Sequence, residues 1–184
     1  MSKLIVWNLV SLDGYFEGSK PWDLDFHNKA WGPELEKLSE EFGEKAEVLI
    51  FGRKTYEGMA AYWKTAEPST VTSFMNALPK LVASRTITEP DWNNTTITAE
   101  IGPAIERLKK SSSKNLYVFG SADLIHSLLE QGLVDEIMLC IVPGLLGEGT
   151  PLFKPGSPRD LKLVESRPLQ NGGLILRYDV RATG

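Results

Sequence analysis

A chain of 184 residues with 42% hydrophobic and 24% charged side chains has apolar material for one globular domain, expected over 1–184, and is not a disordered tail. The formal charge of −4 gives no global attraction to nucleic acid or anionic membranes, while leaving room for a local basic pocket. The lone cysteine, Cys140, excludes an intrachain disulfide and a metal site of clustered thiolates.

In chain order, "KLIVWNLVSL" reads as a first strand. The apolar run before Asp13 is too short for a secretory signal, and no other run approaches the roughly 20 residues of a membrane span, so a soluble cytoplasmic protein is expected. "WGPELEKLSEEFGEKA" has helical periodicity, with Trp31, Leu35, Leu38 and Phe42 on one side. "EVLIFG" is a second strand, followed by a short helix from about Lys54, and "PKLVASR" and "TTITA" are two further strands. "GPAIERLKKSSS" reads as a helix running into a polar loop.

The next unit is strand "NLYVFG", helix "SADLIHSLLEQG" and strand "LVDEIMLCIVP", with Ser121 at the N-cap position, Gly132 at the helix stop and Cys140 as a buried strand residue. "LKLVESRPLQNGGLILRYDV" gives two strands joined across Asn171, Gly172 and Gly173. Strands alternating with helices and closed by a hairpin imply an α/β sheet with an antiparallel edge.

Three strand ends share one chemistry. "LIFGRKTYEGM" places Gly52, Arg53, Lys54 and Thr55 where a strand meets a helix, and the unpaired N–H groups of a helix start favour a phosphate there. A surface turn would tolerate the same residues. "VASRT" adds Ser84, Arg85 and Thr86, a hydroxyl and guanidinium cluster suited to a phosphate on a ribose, and "YVFGSADLI" adds Gly120, Ser121, Ala122 and Asp123. In an open α/β sheet such ends converge on one edge, where ligands bind.

"PWDL", "VLIFGRKTYEGM", "LPKLVASRT" and "LYVFGSADLI" resemble the successive motifs of the dihydrofolate reductase fold, and "VSLDGYFEG" with "VDEIMLCIVPGLLGEGTPLF" resembles the reductase domain of the bifunctional riboflavin-biosynthesis deaminase-reductase. The resemblance covers nearly the whole chain. It implies a three-layer α/β/α fold with a mixed, mainly parallel central sheet and a C-terminal antiparallel hairpin, and a homodimer joined through the late strands. It also implies NADPH as cofactor, with Gly52, Arg53, Lys54 and Thr55 on the pyrophosphate side. Ser84, Arg85 and Thr86 would lie at the adenosine and its 2′-phosphate, and Gly120, Ser121, Ala122 and Asp123 at the second phosphate turn.

Hydride reduction also needs a proton, and Asp13, Asp23, Asp25 and His27 are the titratable residues nearest the expected pocket entrance. Each has a plainer role available: "LDGY" is an ordinary turn, Asp23 and Asp25 suit a solvated loop, and His27 could cap or pack against the next helix. Dihydrofolate reductases carry a carboxylate after "PW"; His27 stands at about that position here. Trp22, Trp31, Tyr56 and Trp63 would serve either an aromatic pocket or the core, and His126 is a packed or surface helix residue. The two histidines lack metal-ligand spacing, and neither a G-x-S-x-G elbow nor a Walker-type loop is present. The resemblance therefore implies an NADPH-dependent reductase of a small heterocycle, nearest to 5-amino-6-(5-phosphoribosylamino)uracil reductase. The alternatives are a dihydrofolate reductase-like enzyme acting on a pterin or other substrate, and a nucleotide-binding module without turnover.

Overall fold

A computed structural model describes residues 2–180. In order the elements are β1 (Leu4–Ser11), β2 (Tyr15–Glu17), a 3-10 helix (Asp25–Lys29), α1 (Pro33–Lys45), β3 (Ala46–Gly52), α2 (Arg53–Trp63), α3 (Thr70–Ala77), β4 (Lys80–Ala83) and β5 (Thr95–Thr98). There follow α4 (Ile101–Ser111), β6 (Asn115–Val118), α5 (Ala122–Glu130), β7 (Glu136–Val142), β8 (Thr150–Pro151), β9 (Lys162–Pro168) and β10 (Leu174–Asp179).

Eight strands form one sheet in the order β5-β4-β3-β6-β1-β7-β10-β9, and β2 pairs separately with β8. The strands from β5 to β7 are parallel, and β10 runs antiparallel to both β7 and β9. The alternation within β1 explains the layering. Ile5, Trp7 and Leu9 join one core with Leu35, Leu38 and Phe42 of α1, Tyr56 of α2 and Met75 of α3. Leu4, Val6 and Val10 join the opposite core with Ile105 of α4 and Leu124, Ile125 and Leu128 of α5. Each fully buried aliphatic side chain contributes about 1.5–3 kcal/mol, so β1, buried on both faces, is the main seam of the fold. Cys140 of β7 is buried and free.

Local rules account for the boundaries. Ser121 caps α5 by accepting from the Leu124 N–H at 3.4 Å, and Gly132 follows the helix with φ +67°. In the late hairpin Gly172 adopts φ +90°, and the Leu169 N–H donates to the Gly173 carbonyl at 2.7 Å. Trp31 departs from the periodicity: Pro33 fixes the first turn of α1, so Trp31 lies outside the helix and is 45% exposed. α3 escapes pattern reading because "TVTSFMNA" is rich in β-branched and polar residues; its start is fixed by the Ser69 cap, which accepts from the Thr72 N–H at 3.0 Å. β2 and β8, three and two residues long, are too short to show a period.

Candidate active site

Parallel pairing brings the C-terminal ends of β1, β3, β4, β6 and β7 to one edge of the sheet. β6 stops at Val118, opposite Val6, whereas β1 continues beside β7 as far as Ser11, opposite Val142. Beyond Val118 the chain stays bonded to β3, the Phe119 N–H donating to the Ile50 carbonyl at 3.1 Å, so the strands part between β6 and β1. This is the crevice that open α/β sheets use for ligands.

The turns after β3 and β6 interlock. The Gly52 N–H donates to the Gly120 carbonyl at 2.8 Å, and the Gly120–Ser121 peptide is cis. A Cβ on Gly52 would stand 2.6 Å from Ser121 Oγ, and a Cβ on Gly120, whose φ is +127°, would stand 2.9 Å from Thr55 Oγ1. Glycine at both positions lets the N-termini of α2 and α5 lie side by side, with their partial positive charges at one place. α2 has no side-chain cap and no acid in its first turn. Arg53 and Lys54 are exposed there; Arg53 leans on Glu57 at 3.2 Å, and Thr55 is buried. At α5 the negative charge of Asp123 is paired with Lys154, which arrives from the segment after β8.

On the neighbouring strand end, Ser84 Oγ accepts from the N–H groups of Thr86 at 3.2 Å and Ile87 at 3.0 Å, fixing the turn. Arg85 extends from it, exposed and without an ion pair among the described residues. The edge therefore presents, from β4 to β6, a free guanidinium and then two uncrowded helix starts. These residues fit a dinucleotide carrying a 2′-phosphate.

The proton-handling candidates lie on the β1 and β7 side. Asp13 accepts from Ser11 Oγ at 2.6 Å and from the N–H groups of Leu146 at 3.1 Å and Gly147 at 2.8 Å, and these bonds hold its pKa down at about 2. It is ionised and committed as an acceptor, so its evident work is to staple the β7–β8 loop to the end of β1. His27 lies in the 3-10 helix with its ring edge-on to Phe26 at 4.5 Å. Burial pushes it down to about 4, a backbone hydrogen bond to Phe16 working the other way, and Nε2 has no partner. At neutral pH it is an uncharged imidazole. Asp23 is half-buried beside Gly18, with no ion pair among the described residues, and Asp25 is exposed in the first turn of the 3-10 helix.

The four aromatic residues do not gather into one pocket. Tyr56 is in the core, its hydroxyl accepting from the N–H groups of Asp91 at 3.1 Å and Trp92 at 2.9 Å. Trp22, at φ +63°, lays its ring over Gly58 on α2, where a Cβ would stand 2.3 Å from Cε3. Trp63 is half-buried with its indole N–H on Met59, and His126 packs near Gly156. Two neighbours of the site carry no sequence signal of their own. Phe16, on β2, reaches within 3.5 Å of where a Gly120 Cβ would stand, and Lys154 reaches Asp123 from 31 residues away. Among the described residues no three or more His, Cys, Asp or Glu side chains assemble as a metal-binding group, and no helix is long and apolar enough to cross a membrane.

Comparison with known proteins agrees with this architecture. YyaP of Bacillus subtilis (strain 168), named only as an uncharacterized protein, is 32% identical over 181 residues, covering 96% of this chain and 94% of its own. A crystal structure from Shewanella sp. PV-4, carried under a provisional riboflavin-biosynthesis name, superimposes with TM-score 0.78 at 23% identity over 96% of this chain and 98% of that one. RibD of Acinetobacter baumannii superimposes with TM-score 0.73 at 15% identity, covering 97% of this chain but 58% of RibD. The RibD C-terminal domain family matches residues 2–175, nearly all of the sheet, and the chain belongs to that family.

Proposed function

We propose that the chain is an NADPH-dependent reductase of a small heterocyclic substrate, most nearly a 5-amino-6-(5-phosphoribosylamino)uracil reductase. The observation that carries the proposal is the interlocked pair of helix starts at Gly52 and Gly120, flanked by Arg85, which is exposed and has no ion pair among the described residues. When bound, NADPH supplies the hydride. Lys54, Thr55, Gly120, Ser121 and Ala122 hold the pyrophosphate through backbone N–H groups, hydroxyls and charge, Gly52 contributes by having no Cβ in the way, and Arg53 adds a second cation. Ser84 shapes the turn that presents Arg85 and Thr86 to the 2′-phosphate. Asp123 acts through Lys154, which masks its charge.

On the reactive side, Asp13 positions the β7–β8 loop as a pocket wall. His27 holds the Phe16 main chain and so the β2 flap, and Asp23, with Asp25 beside it in the chain, supplies the carboxyl groups left to handle the proton. The acceptor carbon of a C=N or open-chain carbonyl takes the hydride, and its nitrogen or oxygen takes the proton. We also infer a single-domain cytoplasmic protein that binds no nucleic acid and forms a homodimer through β9. Among the described residues that edge strand has no outer neighbour, and it exposes Leu163 and Val164.

NADPH titration followed by oxidation assays on the phosphoribosylaminopyrimidine and on dihydropterins tests this. Turnover with the pyrimidine is expected. Turnover on a pterin alone would move the assignment to a dihydrofolate reductase-like enzyme. Tight NADPH binding with no turnover on either would favour a binding module, a second reading that rests on Asp13 and His27 both being unsuited to give a proton at neutral pH.

A further inference from the structure

Asn8 sits in the middle of β1, 7% exposed, and its Nδ2 has no hydrogen-bond partner. A buried donor left unpaired is costly, and native structures seldom keep one without a use. Its place in the sheet gives the use. The pairing Val6↔Val118 ends β6, so Asn8 is the first residue of its face of β1 beyond the point where β6 turns away into Phe119 and Gly120. The other residues of that face, Leu4, Val6 and Val10, all enter the core against α5. An amide has replaced an aliphatic side chain on this face, two residues past the last β1–β6 pair and so level with the turn that leads into α5.

We infer that Asn8 is a ligand-reading residue whose amide pairs with the carboxamide of the nicotinamide ring. The inference rests on the cofactor reading above. With Arg85 on β4 and the pyrophosphate turns on β3 and β6, the other end of the dinucleotide extends toward β1. A carboxamide offers one donor and one acceptor in a plane, complementary to the Asn side chain, and would satisfy the Nδ2 donor that the protein leaves unpaired. Ser2 and Thr95 also have unpaired buried hydroxyls, but they lie at the start of β1 and β5, far along the strands from this edge.

The test uses two readouts of opposite sign. Asn8→Leu, similar in size, removes the orphaned amide, so the ligand-free variant should melt about 2–6 °C higher than the native chain. Its affinity for NADPH, by fluorescence titration, should fall about 3- to 10-fold. The native chain should also prefer NADPH over its thionicotinamide analogue, whose sulfur is a poorer acceptor for Nδ2 than the carboxamide oxygen, and Asn8→Leu should lose that preference. Asn8→Val, with its strong strand propensity, repeats the measurement if the leucine misfolds. A destabilised ligand-free variant, or unchanged affinity and analogue preference, overturns the role of Asn8 while NADPH binding by the native chain stands. Failure of the native chain to bind NADPH overturns the cofactor reading, and this inference with it.

Discussion

The two edges of the sheet treat charge in opposite ways. At the amino edge every strongly buried charge is matched. Glu136 takes Lys3 and the Arg177 guanidinium at 2.8 Å; Lys109 is paired with Asp135, which also accepts the Leu4 N–H at 2.8 Å. Lys80, 1% exposed, donates to the carbonyls of Leu78 at 2.8 Å, Asn76 at 3.0 Å and Asn93 at 3.2 Å and lies 4.4 Å from the Trp92 ring centroid. Burial lowers it to about 8, so it remains protonated at neutral pH. At the carboxyl edge Lys54 and Arg85 have no carboxylate partner among the described residues, α2 has no side-chain cap, and Asn8 Nδ2 and His27 Nε2 are unpaired. Saturated charge marks the end that holds the fold together. Uncapped helix starts and exposed cations mark the end proposed for the ligand, whereas unpaired buried polar atoms occur at both ends, Ser2 and Thr95 at the amino edge.

This contrast can be broken most forcefully at the amino edge. Asp135→Ala leaves the buried Lys109 ammonium with the Leu133 carbonyl but no counter-charge, and the Leu4 N–H without its carboxylate acceptor, and should cost about 3–5 kcal/mol in urea denaturation, with NADPH affinity of the folded fraction unchanged. A neutral result would remove the structural role claimed for this edge.

His27 makes the opposite edge acid-sensitive. Unfolded imidazole binds a proton below about 6.5 and the folded one only below about 4, so the unfolded state gains protons first as pH falls between them. Stability should therefore decline through that window, by up to about 3 kcal/mol, and His27→Gln should flatten the decline. An unchanged slope in the variant would show that another group governs it.

Arg85→Ala should leave the melting temperature of the ligand-free protein within a degree or so and weaken NADPH by about 1.5–3 kcal/mol, with a smaller loss for NADH. Equal losses for both would move the 2′-phosphate contact elsewhere. The smallest effect is expected at the exposed pair of Lys154 and Asp123. Lys154→Ala should cost less than about 1 kcal/mol of stability, yet weaken NADPH by unmasking the carboxylate, and Asp123→Asn should restore binding in the double variant. If the double variant binds no better than Lys154→Ala, the lysine does not act through Asp123.

The strand-to-helix turns proposed for the cofactor stand out in the sequence because their chemistry is local. A glycine, cations and a hydroxyl stand within four residues at Gly52–Thr55, and Gly120–Ser121 repeats the pattern before a helix. The sheet was legible because β1, β3 and β7 are long enough to show their burial. Tertiary pairing hid the rest. Asp13 looks like a free turn carboxylate until a loop 133 and 134 residues away donates to it, and Lys154 acquires meaning only beside Asp123. Asn8 reads as an ordinary strand residue, because its lack of a partner depends on where β6 ends.

Cys140, buried in β7 with its thiol pushed up to about 11, has a practical corollary. A thiolate so disfavoured and shielded is slow toward alkylating reagents. A cysteine introduced at an exposed rim position such as Leu12 or Leu145 would be the one reactive sulfur on the folded protein, so a single fluorophore could report ligand entry without altering the native thiol.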